Sequence, residues 1–216
     1  MRFVNLNSRA NDTCINHLPF SQEYKRKFKH TKWNFHKWKG LTLMKDPMTL
    51  SIYMMMMQEI KPKTILEFGT YDGGSALWMS DIMKSIGCDC DVHTFDINVD
   101  RVNIPKNSKI TFHSLDNNEI LKFVSENHNL FEQIQSPVLV IEDSHVNTNE
   151  IIKCIDPFLS TGDYLVIEDT LAKEKYEEVI LSDNSINKLN YKVDTFYCDF
   201  WGFNNSWNVN SIFKKF

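Results

Sequence analysis

The sequence predicts an α/β fold, a mostly parallel sheet with helices on both faces and an antiparallel C-terminal edge. Three observations carry that prediction. Short apolar runs of strand length, at residues 64–68, 91–96, 109–113, 138–141 and 164–167, alternate with segments of helical character near 76–85, 118–126 and 148–159. Such alternation is the signature of βα units wound around a parallel sheet. Each of the five runs is closed by an acid, in turn Glu67, Asp96, Asp116, Glu142 with Asp143, and Glu168 with Asp169. Finally, residues 191–200 and 209–213 alternate well enough to form an antiparallel pair at one edge.

The 216 residues, 42% of them hydrophobic, suffice for one full-sized core, and no linker divides them. Residues 1–40 are polar and aromatic without a clear period and read as an N-terminal extension or lid, leaving 41–216 as the domain. Asp46 and Pro47 open a helix that runs through the consecutive methionines Met54, Met55, Met56 and Met57 to a break at Lys61-Pro62-Lys63. The methionines read as core filling, because consecutive side chains point around a helix rather than towards one ligand.

Composition excludes several partners. A net charge of −4 argues against a nucleic-acid-binding surface. The local basic and aromatic stretch (Lys25, Arg26, Lys27, Lys29, Lys32, Trp33, Phe35, Lys37, Trp38, Lys39) reads as a solvated helix face or lid. Cys14, Cys88, Cys90, Cys154 and Cys198 are odd in number and contain no Cys-x-x-Cys pair, which indicates neither a disulfide framework nor a zinc site. Reduced thiols fit a cytoplasmic protein. The first residues lack the apolar region of a signal peptide, and no run of about 18 apolar residues occurs, so no membrane partner is expected. The oligomeric state is left open, a homo-oligomer included.

The first apolar run ends in Glu67-Phe68-Gly69-Thr70-Tyr71-Asp72-Gly73-Gly74-Ser75 before helical sequence resumes. Glycine belongs where a backbone takes positive φ or approaches a ligand closely, and the helix that follows offers free N–H groups at its start. The spacing Glu-x-Gly-x-x-x-Gly-Gly-Ser is neither the dinucleotide fingerprint nor the phosphate loop. It resembles the first motif of class I S-adenosylmethionine-dependent methyltransferases, where the glycine turn lies under the amino-acid end of the cofactor. That likeness makes Glu67, Gly69, Thr70, Tyr71, Gly73, Gly74 and Ser75 cofactor-binding candidates.

Ligands of an open parallel sheet bind beyond the carboxyl ends of the strands. An acid after the second strand lies where adjacent ribose hydroxyls would sit, which makes Asp96 the ribose candidate. Asp116 either accepts from an exocyclic adenine amine or caps the helix begun by Asn117-Asn118-Glu119, and the sequence leaves both open. Asp143, Glu168 and Asp169 put three carboxylates on two neighbouring strand ends. A hard divalent cation, Mg²⁺, Ca²⁺ or Mn²⁺, would relieve their repulsion. His145, two residues beyond Asp143, is suited to accept a proton from a substrate hydroxyl polarised by that metal; a purely structural role is its alternative. Asp143 also counts among the catalytic and cofactor-facing candidates.

Together, Trp38-x-Gly40, Lys61-Pro62-x-Thr64-Ile65-Leu66-Glu67-x-Gly69, Gly73-Gly74-Ser75-Ala76, Ile141-Glu142-Asp143-Ser144-His145 and Gly162-Asp163-Tyr164-Leu165-Val166-Ile167-Glu168-Asp169-Thr170 resemble the cephalosporin hydroxylase family of methyltransferase-fold proteins. Macrolide-sugar and rhamnosyl O-methyltransferases are its relatives. The resemblance runs from about Trp38 to Lys214, including the tail Asn205-Ser206-Trp207-Asn208-Val209-Asn210-Ser211-Ile212-Phe213-Lys214, which is similar to the family's closing Asn-rich strand. It implies a Rossmann-like class I methyltransferase fold, S-adenosylmethionine as cofactor and, by likeness to catechol O-methyltransferase, Mg²⁺ held by Asp143, Glu168 and Asp169. Many relatives carry Asp-Ser-x-His after the fourth strand. Here either Glu142 or Asp143 can stand in the ligand position, and Asp143 is preferred because Glu142 then remains the last strand residue. Ser211 stands where relatives often carry glycine.

The function so implied is transfer of an activated methyl group to a hydroxyl of a small molecule, such as a sugar, a phenol or a natural product, by a metal-assisted O-methyltransferase. Two other classes compete with it. A non-catalytic cofactor-binding subunit supporting a partner enzyme would not need mutually repelling acids at every strand end. An oxygenase, suggested by the family's name, would need a His-x-Asp/Glu pair, and none of the seven histidines has an acid two positions later. Trp33, Trp38, Trp78, Trp201 and Trp207 read as core and lid residues rather than as an aromatic wall for the acceptor.

Overall fold

Parallel strands covered by helices on both faces need apolar side chains at nearly every position, and the runs at residues 64–68 and 138–142 meet that need. The computed structural model describes residues 1–13, 26, 36–106, 108–171 and 185–216. Its strands in chain order are β1 (Phe3–Val4), β2 (Lys37–Trp38), β3 (Leu41–Thr42), β4 (Thr64–Phe68), β5 (Asp91–Asp96), β6 (Ile110–Ser114), β7 (Val138–Glu142), β8 (Tyr164–Ile167), β9 (Tyr191–Asp194) and β10 (Ile212–Lys215). Every residue of β4, β7 and β8 is buried.

Among the described residues, eight strands form one sheet in the order β1-β9-β10-β8-β7-β4-β5-β6, and β2 pairs with β3 in a separate hairpin. The pairs β4/β5, β5/β6, β4/β7 and β7/β8 are parallel; β10 runs antiparallel to β8 and β9, and β1 to β9. The order is that of the predicted mostly parallel sheet with an antiparallel C-terminal edge. Chain direction across the sheet reverses between β4, which leads outwards to β5 and β6, and β7, which starts the other half. That switch point opens a crevice at the carboxyl ends of the strands.

Local chemistry explains the helix boundaries. The Asp46 carboxylate accepts from the amides of Met48 at 2.8 Å and Thr49 at 3.1 Å, capping the helix Pro47–Ile60, and Lys61 closes it in the left-handed region at φ 47°. Met56 and Met57 are fully buried, whereas Met54 is half exposed, so the methionine run wraps from the core to the surface. The helix Gly74–Ser85 buries Ala76, Leu77, Trp78, Met79 and Met83. Thr148–Ile155 stops short of the predicted 148–159 because Pro157 turns the remainder into a 3-10 turn, Asp156–Phe158.

Two further stretches depart from the sequence reading. The alternation over 191–200 ends as a strand at Asp194, whose carboxylate caps the short helix Thr195–Cys198 by accepting from the Phe196 amide at 3.1 Å. The closing strand begins at Ile212, three residues later than expected. The N-terminus also enters the sheet. Phe3–Val4 pairs with β9, and Arg2 clamps the buried Asp194 with Nε and Nη2 at 2.9 Å each. Lys25, Lys27, Lys29, Lys32, Trp33 and Phe35 of the basic stretch, and Cys14, lie outside the described residues.

Candidate active site

The loops that follow β4 and β7 meet at the switch point with no room for a side chain between them. Gly69 has φ +108°, and a Cβ on it would lie 2.7 Å from both the carbonyl carbon and the oxygen of Asp143. The Gly69 amide donates to the Phe95 carbonyl and the Asp143 amide to the Phe68 carbonyl, each at 2.8 Å, so the ends of β4, β5 and β7 are tied together. At Gly74 a Cβ would meet the Thr42 carbonyl oxygen at 2.0 Å. The β2–β3 hairpin therefore rests on the helix start, anchored further by the Thr42 amide, which donates to Asp72 Oδ2 at 2.7 Å. The chain leaving this hairpin crosses the carboxyl edge of the sheet.

A cavity of about 460 Å³ opens beneath it. Of the predicted cofactor residues, Gly69, Thr70, Tyr71, Ser75, Asp96, Asp116 and Asp143 line this space, whereas Glu67, Gly73 and Gly74 stand behind the lining. Glu67 is fully buried and accepts from the hydroxyls of Ser75 and Thr94. Burial pushes its carboxyl up to about 7, although the Ser75 hydroxyl and the Lys45 charge pull the other way. It braces the turn from below, where the sequence had suggested direct contact with a ligand.

Asp96 accepts from the Tyr71 amide through Oδ2 and from the Asn98 amide through Oδ1, each at 2.9 Å. Those two bonds fix the carboxylate at the rim between Tyr71 and Ile97, and each oxygen retains acceptor capacity. Asp116 realises the capping alternative. It lines the cavity, yet its Oδ1 takes the Asn118 amide at 2.9 Å and the Asn118 side chain at 3.0 Å.

At the opposite rim, Glu142 and Asp143 divide their labour. Glu142 is fully buried and accepts through Oε1 from the amides of Ser144 and His145, at 3.0 and 2.9 Å, and through Oε2 from the Thr148 hydroxyl at 2.8 Å. It folds the loop and starts the next helix, which leaves Asp143 to line the cavity. His145 takes φ 61° and Asp169 φ 59°, left-handed conformations that non-glycine residues hold at a cost of about 1 kcal/mol or more. These bends bring His145 Nε2 to 3.1 Å from Asp169 Oδ2 and 3.5 Å from Asp143 Oδ1. One ligand atom from each of Asp143, His145 and Asp169 fits within 4.8 Å of the others. Two donors bound at about 2.1 Å from one hard cation lie no more than about 4.2 Å apart, so small adjustments of the Asp143 and Asp169 side chains suffice to seat an ion between them, with the His145 ring beside it.

Glu168 stands apart from that group. Buried at 3% exposure, it is joined by the Tyr53 hydroxyl and by Lys45 Nζ at 3.0 Å. Lys45 also reaches Asp143 Oδ2 at 2.6 Å. Burial pulls the Lys45 ammonium down, and the carboxylates of Asp143 and Glu168 outweigh it, holding the charge above the ordinary lysine range. Sequence reasoning passed over this cation, as it did Thr42 and Met44, which also line the cavity. The only sequence signal was a lysine directly before a helix cap. Trp207 borders a recess of about 20 Å³ next to Lys45, Glu168 and Asp169; Trp78 is core, and Trp38 donates to Asp81 Oδ2 at 2.7 Å.

Residues 29–203 match the family model described as rhamnosyl O-methyltransferase/CmcI. The chain is 28% identical over 143 residues to a rhamnosyl O-methyltransferase of Mycobacterium leprae, covering 64% of this chain and 62% of that protein. It thus spans less than two thirds of the length of that curated relative. An apo structure of CmcI superposes with a TM-score of 0.69 at 29% identity, covering 83% of this chain and 76% of that one. A structure of CmcI with magnesium and S-adenosylmethionine gives 0.66 at 29% identity, with 84% and 76% covered. No helix among the described residues is long and apolar enough to cross a membrane.

Proposed function

This chain belongs to the rhamnosyl O-methyltransferase/CmcI family, and from that premise we propose that it moves the methyl group of S-adenosylmethionine to a hydroxyl oxygen of a small-molecule acceptor. One observation carries the reading. The switch-point cavity bears a carboxylate suited to a ribose, Asp96, at one rim and the group of Asp143, His145 and Asp169 at the other, so cofactor and acceptor would meet between them. The CmcI structure holding magnesium and S-adenosylmethionine supports both groups for this chain.

The roles follow from position. The Gly69 turn, Thr70, Tyr71 and Ser75 would cradle the amino-acid end of the cofactor, and Asp96 would accept from its ribose hydroxyls. Phe95, Ile97, Leu115 and Val146 offer apolar walls for a purine, with Asp116 at its edge. Asp143 and Asp169 would hold a divalent cation, which when bound stabilises negative charge on the acceptor oxygen. His145 Nε2 takes the hydroxyl proton as the acceptor oxygen bonds to the methyl carbon and the methyl–sulfur bond breaks. Lys45 and the chain leaving the hairpin shield the reacting atoms from water. Cys88, Cys90, Cys154 and Cys198 are free thiols, which supports a reducing, cytoplasmic setting.

Incubation with methyl-labelled S-adenosylmethionine and a panel of hydroxylated sugars and phenols, with and without chelator, tests the proposal. Labelled ether product that disappears on chelation is the expected result. Cofactor binding without transfer to any acceptor would favour the non-catalytic subunit instead, and absence of cofactor binding would overturn both.

A further inference from the structure

An isolated pair of very short strands is marginal in water, so what the β2–β3 hairpin is tied to decides where it lies. Its strands are joined through Lys39 and Gly40, both in the left-handed region at φ 49° and 91°, as two-residue hairpin turns favour. The exit of the hairpin is fixed at the start of the helix Gly74–Ser85, where the Thr42 amide meets Asp72 and the Thr42 carbonyl leaves no room for a Cβ on Gly74. The tip is fixed about two turns further along the same helix. There Asp81 accepts from the Trp38 indole through Oδ2 at 2.7 Å and from Lys39 Nζ through Oδ1 at 2.9 Å. Burial pulls the Asp81 carboxyl up, but the Lys39 ammonium and the Trp38 indole outweigh it and keep the group below the usual carboxylate range. Asp81 lies outside the cavity lining, whereas Thr42, Met44 and Lys45, on the chain leaving the hairpin, form part of it.

We propose that Asp81 is a positioning residue for the cofactor: by stapling the hairpin tip through Trp38, it steadies Thr42 and Met44 in the cavity wall and so slows the cofactor's departure. The inference rests on the cofactor reading above and adds a residue that neither the glycine turn nor the strand-end acids include. Trp38 pairs with Leu41 across the hairpin, and Leu41 precedes Thr42, so a tip that lifts from the helix pulls directly on the wall. The bond from Thr42 to Asp72 remains when the staple is lost, so the wall loosens without coming away and the effect is moderate.

The test is the release rate of S-adenosylhomocysteine, read by surface plasmon resonance on the immobilised full chain. Asp81→Ala puts the best helix former into a helix, so it removes the staple without weakening the element that carries it. It should raise the release rate about five- to tenfold and leave the association rate within about twofold of wild type. A merely structural aspartate would lower the unfolding temperature and leave the release rate alone. Trp38→Phe should act like Asp81→Ala, and the double variant should release no faster than either, because both remove one bond. Gly87→Ala, just past the far end of the same helix, is the control for general softening and should release at the wild-type rate. A folded Asp81→Ala chain with the wild-type release rate overturns the inference, as does equal acceleration by Gly87→Ala or additive acceleration in the double variant. If Trp38→Phe does not fold, the comparison of Asp81→Ala with Gly87→Ala still decides. A wild-type chain that binds no S-adenosylhomocysteine overturns the cofactor reading and this inference with it.

Discussion

Gly69 and Asp143 touch backbone to backbone: a Cβ on the glycine would lie 2.7 Å from the aspartate's carbonyl carbon and oxygen. Two loops that are 74 positions apart in sequence are thereby locked at the mouth of the cavity, one carrying the cofactor turn and the other the acids. Gly69→Ala should push them apart and force a non-glycine residue to φ +108°. We expect a loss of about 2 kcal/mol or more in urea unfolding, together with weakened cofactor binding. Gly87→Ala is the control, because Gly87 shares positive φ at +76° yet has no atom within 4 Å of an added Cβ; it should cost about 1 kcal/mol. Equal effects at the two positions would mean that the crowding against Asp143 is unimportant.

Asp96 holds the second strand end to the cofactor turn through the Tyr71 amide at 2.9 Å. If it also accepts from ribose hydroxyls, Asp96→Ala should weaken S-adenosylmethionine binding by about 1.5–3 kcal/mol, the worth of hydrogen bonds to a charged group. Calorimetric affinity matching the wild type would withdraw the ribose assignment.

Glu67 supplies a pH signature. Its carboxyl is raised from 4.5 to about 7 in the folded chain, burial being the largest cause. The folded state therefore binds the proton more tightly than the unfolded state, so stability is highest below the unfolded value and falls as pH rises towards 7. The full contribution is about 3 kcal/mol at one pKa unit per 1.36 kcal/mol. Glu67→Gln keeps an amide between Ser75 and Thr94 and should flatten that decline. Parallel stability curves for wild type and variant between pH 4.5 and 7.5 would show that Glu67 does not titrate there.

The fold was legible because its rules are local. A parallel strand buried on both faces must be apolar at nearly every position, and β4, β7 and β8 are so, with Glu67 and Glu142 as buried acids near the carboxyl ends of the first two. Acids beyond those runs marked the ligand edge by the same logic. What escaped depends on distant contacts. Lys45 meets Asp143 across 98 positions, and nothing in its neighbours tells that its ammonium turns inwards. Phe3–Val4 is too short to show alternation and is held by Arg2 on Asp194, 192 positions away. The end of β9 was missed because an aspartate in alternating sequence looks like a strand residue until its side chain caps a helix, as Asp194 does. Glu142 closes β7, and the reason that its side chain stays out of the cavity appears only in three dimensions: the loop amides and Thr148 engage its oxygens.

The last prediction concerns His145, whose left-handed backbone at φ 61° aims the ring at Asp169 and Asp143. As the general base, its imidazole must be unprotonated to work. His145→Ala should lower kcat by about 10²–10⁴-fold while cofactor affinity stays unchanged, because the ring belongs to the acceptor side of the cavity. A structural role makes a different forecast. Losing the ring would then loosen the loop that Glu142 organises, lowering thermal stability and weakening cofactor and cation together. Two readings separate these cases. A pH–kcat profile that keeps the same acidic limb in His145→Ala would pass the proton acceptor's role to another group, and recovery of the rate by added imidazole in the variant would return it to His145.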